Sequence, residues 1–125
     1  MRLLLDTHIL LWWLAADRGL ASEARRHIAS PESAVFVSAA TAWEISIKKA
    51  LGKLEAPDDL VDQLDRHRFE PLPVTITHGL AAGTLPRLHD DPFDRVLIAQ
   101  AQLEGLTIVT RDPRFGRYAV ATLPA

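Results

Sequence analysis

Short apolar runs alternate along this chain with longer stretches in which the apolar residues recur at helical spacing. The apolar run Arg2–Leu5 is typical of a buried strand, and the almost wholly apolar residues 8–15 predict a helix directly after it. The same alternation continues to the end of the chain. Further strands are predicted at 34–37, 69–75, 106–109 and 118–122, and further helices at 22–30, 39–51, 57–67, 77–85 and 93–103.

These elements predict a three-layer α/β domain with a mainly parallel central sheet, because strands that alternate with helices form β-α-β units. Pro71 and Pro73 fall in the third predicted strand, which is therefore expected to be short and to lie at an edge of the sheet. We expect residues 1–125 to form one domain, since a chain of this length buries roughly two-thirds of its unfolded surface.

The segment 89–112 has the clearest helix signals. Asp91 precedes Pro92, and this pair is typical of a helix start, whereas Gly105 predicts the helix end. Asp94 falls in the first turn of this helix, and Asp112 follows the strand that ends at residue 109. Because helices in β-α-β units start where strands end, both acids are expected at the same edge of the sheet, with Asp91 interpreted as the cap.

Two more acids are predicted at this edge. Asp6 directly follows the first strand, and Glu44 lies early in the helix after the second strand. Each of the four acids has an ordinary explanation alone, as a helix cap, an i, i+4 ion pair, a helix-dipole partner or a turn residue. Together, four carboxylates at one rim would repel each other and indicate a shared divalent cation. Oxygen ligands favour Mg²⁺ or Mn²⁺.

Composition narrows the classes of function. The chain is 48% hydrophobic and 24% charged, with a net charge of -2, which excludes a generally basic nucleic-acid binder. The absence of cysteine excludes disulfides and thiolate metal sites and fits a reducing cytoplasm. The apolar run after Met1 is too short for a signal peptide or a membrane span, so a cytoplasmic location without membrane attachment is expected.

Two other classes of enzyme with an acid at the end of the first strand do not match this sequence. A haloacid-dehalogenase-type phosphatase needs a second Asp two residues after the first, where this chain has His8. A phosphotransfer receiver needs an early acidic pair and a lysine near the last strand, but no lysine follows Lys53. A catalytically inactive module that binds RNA or protein, in which the acids are caps and surface charges, remains an alternative.

Four strings in this sequence resemble motifs of PIN-domain ribonucleases, and more narrowly of the VapC toxins of bacterial toxin–antitoxin pairs. They are LLLDTH at 3–8, AWEISIK at 42–48, DPFDRVLIAQA at 91–101 and TRD at 110–112. The resemblance covers essentially the whole chain. It implies metal-dependent cleavage of RNA, a cognate antitoxin that blocks the site, and assembly as a homodimer or as a toxin–antitoxin hetero-oligomer.

The resemblance also implies roles for individual residues. The catalytic and metal-binding acids would be Asp6, Glu44, Asp94 and Asp112. Asp6 and Asp94 would be the main ligands of Mg²⁺ or Mn²⁺, and the other two would complete the ligand set or orient the attacking water. Thr7 and Thr110 are expected to hold these ligands by hydrogen bonds. The expected RNA target is the loop of a structured RNA, and the basic residues expected to contact it are Lys48, Arg95, Arg111 and Arg114.

The helix predicted at 8–15 carries more apolar surface than one core-facing stripe requires. Of Trp12 and Trp13, one is expected in the core. The other, with Leu11, is expected to line a groove for an antitoxin helix or a second copy of the chain. Core packing of both tryptophans is the alternative.

Overall fold

The computed structural model describes residues 1–125 and contains a five-stranded sheet in which every neighbouring pair of strands is parallel. The strand order is β3-β2-β1-β4-β5, with the short β3 at one edge, as Pro71 and Pro73 in the predicted strand indicated. The strands are β1 (Arg2–Leu5), β2 (Ala34–Ser38), β3 (Glu70–Leu72), β4 (Thr107–Thr110) and β5 (Thr122–Pro124).

Six α-helices connect or follow the strands, and none of them is both long and apolar enough to cross a lipid bilayer. They are α1 (Thr7–Leu14), α2 (Ser22–Ala29), α3 (Ala39–Ala50), α4 (Leu60–Arg66), α5 (Ile76–Thr84) and α6 (Pro92–Glu104), and a short 3-10 helix covers Pro113–Arg117.

The central strand β1 is buried on both faces of the sheet. Leu3 and Leu5 belong to a core cluster with residues of α1 and α2, whereas Leu4 belongs to a second cluster with residues of α6. Because successive residues of a strand point to opposite faces, helices cover both sides of the sheet. The α/β class and the three-layer arrangement predicted from the sequence are therefore confirmed.

The carboxyl ends of β1 and β4 meet at the point where the order of the strands reverses. Leu5 pairs with Val109, and the amide of Asp6 continues this ladder by donating to the carbonyl of Val109 at 3.1 Å. Open α/β sheets bind ligands in the crevice at such a reversal. The fold thus directs attention to Asp6 and to the residues that follow β4.

Some predicted bounds were wrong. The last strand lies at Thr122–Pro124 and not at 118–122, because Tyr118 is buried in the second core cluster and its hydroxyl donates to the carbonyl of Pro86 at 2.9 Å. Helix α4 begins at Leu60, three residues later than predicted. Helix α5 begins one residue early, because Thr75 caps it through reciprocal hydrogen bonds with His78.

Candidate active site

Asp6 lies between β1 and α1 and is 6% exposed. Its side chain makes no capping hydrogen bond to α1, so the ordinary explanation as a helix cap does not account for it. Instead, Asp6 Oδ2 accepts a hydrogen bond from Thr110 Oγ1 at 2.8 Å. Thr110 Oγ1 in turn accepts from the amide of Asp112 at 3.0 Å, so one hydroxyl connects the ends of two neighbouring strands.

Glu44 lies on α3 and is 4% exposed. Its Oε1 accepts from Thr7 Oγ1 at 2.6 Å, and its Oε2 lies 2.5 Å from Lys48 Nζ. The i, i+4 ion pair considered from the sequence is therefore present, and the ion pair raises the pKa of Lys48. Thr7 thus holds Glu44 rather than its own neighbour Asp6.

The two acids at the start of α6 have different positions. Asp91 caps the helix, because its Oδ1 accepts from the amides of Phe93 and Asp94 at 2.9 and 3.0 Å. Asp94 is buried in the first turn, and its Oδ2 lies 2.6 Å from Nε2 of His89. Asp94 therefore places its carboxylate beside His89 and Asp112, whereas Asp91 uses Oδ1 as the cap of the helix.

His89 also belongs to this site, although it was not among the site residues predicted from the sequence. One ligand atom from each of His89, Asp94 and Asp112 lies within 4.8 Å of the other two. The side chain is buried, with its ring edge-on to Phe115 at a centroid distance of 6.4 Å. The only available signal was its position in the sequence, five residues before Asp94 and directly before an acidic pair.

Asp112 follows β4 at the more open side of the site, with a side chain that is 23% exposed. Arg114 holds both carboxylate oxygens, through Nε at 3.0 Å and Nη2 at 2.7 Å. The Arg114 hydrogen bonds lower the pKa of Asp112. Asp112 is thus the one acid of the four that pairs with an arginine.

The two central acids, Asp6 and Asp94, are buried, and neither has a lysine or arginine partner. Burial raises the pKa of Asp94 to about 7, and the nearby carboxylates of Asp6 and Asp91 act in the same direction. Burial also raises the pKa of Asp6, with a smaller contribution from Glu44. Buried acids whose ionisation is opposed in this way, and which no lysine or arginine pairs with, fit a hard divalent cation.

Arg95 was expected to contact RNA, but its guanidinium points into the protein. It donates to a set of backbone carbonyl groups in the segment before α6, those of Ala82, Leu85, Pro86 and His89, at 2.9 to 3.2 Å. Arg95 therefore ties this segment to α6 and does not offer its charge to a ligand at the rim.

Arg111 is also engaged within the protein. Its Nη2 donates to the carbonyls of Gly19 and Ala125, and its guanidinium lies 4.4 Å from the centroid of the Trp12 ring. Of the four basic residues expected to contact RNA, Lys48 and Arg114 lie at the acidic rim and pair with Glu44 and Asp112.

Both tryptophans of α1 are half-buried and pack against the first core cluster. Trp12 lies under Arg111, and Trp13 Nε1 donates to His67 Nδ1 at 3.2 Å. The most exposed tryptophan is instead Trp43 on α3, which is 64% exposed and lies edge-on to Phe93. The two rings line an apolar cleft of about 440 Å³.

Comparisons with known proteins add to this geometry. No curated protein sequence matches the chain significantly. Solved structures share its fold over nearly their whole length. A chain of VapBC2 from Rickettsia felis, solved with a DNA fragment from their promoter, superposes with a TM-score of 0.73 and 16% identity, covering 99% of this chain and 98% of that one.

Two further solved structures share the fold over a similar part of the chain. A chain of DNA-bound VapBC from Salmonella typhimurium gives a TM-score of 0.67 and 16% identity over 99% and 98% of the two chains. A chain of FitAcB from Neisseria gonorrhoeae gives 0.64 and 22% over 97% and 96%. In addition, the sequence model of the PIN domain matches residues 3–121. Since this match covers most of the sequence, this chain belongs to the PIN domain family.

Proposed function

We propose that this protein is a metal-dependent endoribonuclease and the toxin of a toxin–antitoxin pair. The observation that carries the proposal is the pair of buried carboxylates, Asp6 and Asp94, at the carboxyl edge of the sheet without a lysine or arginine partner. Membership of the PIN domain family supports a nuclease, and the fold shared with chains of the VapBC and FitAcB complexes supports a toxin.

Mg²⁺ or Mn²⁺, when bound, supplies charge neutralisation at the rim, activation of a water molecule and stabilisation of the charge that develops on the phosphodiester. Asp6 and Asp94 would hold the ion, and the hydroxyl of Thr110 orients the carboxylate of Asp6. Glu44, held by Thr7 and Lys48, completes the ligand set or orients the attacking water. Asp112, at the more open side of the site, would likewise complete the ligand set or orient the attacking water.

The RNA approaches from the side of Asp112. Arg114 has an exposed side chain there, and Lys48 is partly exposed beside Glu44, so these two residues are the proposed phosphate contacts. Arg95 and Arg111 are left out because their guanidinium groups bond to backbone carbonyls. A loop of a structured RNA is the proposed target, since such loops expose phosphates and unpaired bases together.

The proposed partner is a cognate antitoxin that covers the acidic rim, in a hetero-oligomer built on a toxin homodimer in the cytoplasm. Trp12 and Trp13 belong to α1, whose residues Leu11 and Leu14 line a separate cleft of about 300 Å³. Apolar side chains of an antitoxin helix would fit along this surface of α1. Both tryptophans would then support the groove from the partly buried side of the helix.

The test is cleavage of structured RNAs by the purified, antitoxin-free protein, with Mg²⁺, with Mn²⁺ and with a chelator. We expect discrete products only when the ion is present, and a loss of at least about 100-fold in Asp6→Ala and Asp94→Asn. Asp62→Asn, on the exposed surface of α4, is the matched control. Cleavage that persists under chelation or in both rim variants would reject the mechanism.

RNA binding without cleavage under every ion condition would favour the alternative function, a catalytically inactive PIN-fold module that binds RNA or protein. Arg114 bears on this alternative, because its ion pair with Asp112 occupies one of the four acids. An Arg114→Gln variant that gains metal-dependent cleavage would locate the block in that ion pair.

A further inference from the structure

We propose that His89 supplies a nitrogen ligand to the divalent ion, beside Asp94 and Asp112, and that the site consequently prefers Mn²⁺ to Mg²⁺. This inference deepens the proposed metal-dependent function and rests on it. It adds a residue that lies outside the acidic motifs, and it names the class of ion that the site selects.

The distances around His89 suit a shared ion. Its Nε2 lies 2.6 Å from Asp94 Oδ2, and one ligand atom of Asp112 lies within 4.8 Å of both side chains. Ligand atoms at about 2.0–2.2 Å from one ion are no more than about 4.4 Å apart, and adjacent ligands are about 3 Å apart. The separations of the three ligand atoms are therefore compatible with one shared ion, which would replace the proton between His89 and Asp94.

The protein holds His89 in this position from several directions. The backbone carbonyl of His89 accepts from Arg95 Nη1 at 3.2 Å and from the hydroxyl of Tyr118 at 3.4 Å. Its ring packs edge-on against Phe115, which is completely buried. The imidazole is thus aimed at the acidic rim before any ion binds, so ligation requires little reordering of this side chain.

The identity of the donor atom determines the ion preference. Mg²⁺ is bound almost only by oxygen, whereas imidazole nitrogen suits first-row transition-metal ions. A rim made only of carboxylates would discriminate less strongly between Mg²⁺ and Mn²⁺. A nitrogen ligand at His89 would shift the balance toward Mn²⁺, and Asp94 and Asp112 would still supply the charge that either ion needs.

A second role for His89 is compatible with the same hydrogen bond. The ring could donate to Asp94 and only orient its carboxylate, as groups behind metal ligands commonly do. The two roles differ in a measurable way. Loss of an orienting hydrogen bond weakens the binding of every ion by a similar factor, whereas loss of a nitrogen ligand weakens Mn²⁺ binding more than Mg²⁺ binding.

The experiment measures ion binding to the full-length protein at equilibrium, with no RNA present. Titration calorimetry gives the dissociation constants of Mn²⁺ and Mg²⁺, and pulsed electron paramagnetic resonance of the Mn²⁺ complex reports a directly bound imidazole nitrogen. We expect nitrogen modulation in the wild-type signal. In His89→Asn we expect that modulation to disappear and Mn²⁺ affinity to fall by at least about 10–100-fold, with a smaller fall for Mg²⁺.

His27→Asn is the matched control, since His27 lies on α2, which carries none of the site residues. Circular dichroism establishes that both variants fold, and the wild-type spectrum decides the question even where His89→Asn does not fold. Absence of nitrogen modulation in wild-type protein with Mn²⁺ bound, or an equal loss of affinity for both ions, would overturn the proposal and leave the ribonuclease proposal intact. Absence of any ion binding would reject both.

Discussion

The hydroxyl of Thr110 donates to the carboxylate of Asp6 at 2.8 Å, joining residues that are 104 positions apart in the sequence. Replacing this hydroxyl with a methyl group leaves the shape of the side chain nearly unchanged. In Thr110→Val, the carboxylate of Asp6 loses its donor, and we expect a fall of about 10–100-fold in divalent-ion affinity, measured by calorimetry. Thr110→Ser keeps the hydroxyl and should stay near wild type. Equal affinities in all three proteins would contradict this assignment.

The raised pKa of Asp94 predicts how the stability of the ion-free protein depends on pH. Between the ordinary value of 3.8 and the folded value of about 7, the folded protein holds a proton that the unfolded chain has released. The free energy of unfolding should therefore decrease as pH rises through this range, and the decrease should end above about pH 7. Urea denaturation in the presence of a chelator measures it.

Asp94→Asn is the control for this pH dependence, because the amide does not titrate. The difference between wild type and the variant isolates the contribution of Asp94 from those of the other acids. A difference that is independent of pH between about 4 and 7 would show that the carboxylate is ionised throughout that range.

The ion pair between Lys48 and Glu44 predicts opposite effects on stability and on ion binding. In Lys48→Met, the buried Oε2 of Glu44 loses its donor, so the free energy of unfolding without ions should decrease by about 1–3 kcal/mol. Removal of the positive charge should at the same time strengthen binding of a divalent ion by a few-fold. Lys48→Arg retains the charge and should not bind the ion more tightly than wild type. A gain in ion affinity equal to that of Lys48→Met would argue against an electrostatic cause.

Loss of the positive charge at Arg95 should affect the stability of the fold, whereas loss of the charge at Arg114 should affect the binding of RNA. Arg95→Gln should lower the free energy of unfolding by about 2–3 kcal/mol, since a charged donor to several backbone carbonyls is lost. It should leave the salt dependence of RNA binding unchanged. Arg114→Gln should instead reduce the slope of log K against log salt concentration by about 0.7, the effect of one contact to single-stranded phosphate. Filter binding at several salt concentrations compares them, and a reduced slope in Arg95→Gln would restore the role that the sequence suggested.

Substitution of His78, which lies away from the site, should change the stability of the protein. Its Nδ1 accepts from the amide of Thr75 at 3.0 Å, and Nε2 lies 2.9 Å from Glu104 Oε1, so one side chain caps α5 and attaches it to α6. His78→Ala should lower the free energy of unfolding by about 1–3 kcal/mol without changing ion affinity. His78→Asn can still accept from the Thr75 amide and should recover part of the loss. An altered ion affinity in a folded variant would mean that α5 also shapes the rim.

Local signals in the sequence were sufficient for much of the fold. Helix α6 begins after Asp91 and ends at Gly105, which adopts a φ of 66°, because capping and left-handed termination depend on nearby residues alone. The edge position of β3 followed from the two prolines of the predicted strand. The order of the strands did not follow, since it depends on pairings such as that of Leu5 with Val109, which join residues far apart in the chain.

The candidate site was partly predictable for the same reason. An acid within a few residues of the end of a strand has its position set largely by that strand, so Asp6 and Asp112 could be placed at the edge of the sheet. The direction of a long or loop-borne side chain depends instead on contacts that form only in the folded protein. Arg95 donates to carbonyl groups of the segment before α6, and the ring of His89 packs against Phe115. Neither orientation could be predicted from the sequence.

The placement of β4 beside β1 has a consequence for the timing of the proposed activity during synthesis. β1 is synthesised well before β4, and the carboxylate of Asp6 has no hydroxyl donor until Thr110 has been translated and β4 has paired with β1. An unfinished polypeptide that stops short of β4 therefore lacks both an aligned Asp6 and the acid at 112. A truncated chain of this kind should therefore lack the arrangement of acids on which the proposed activity depends.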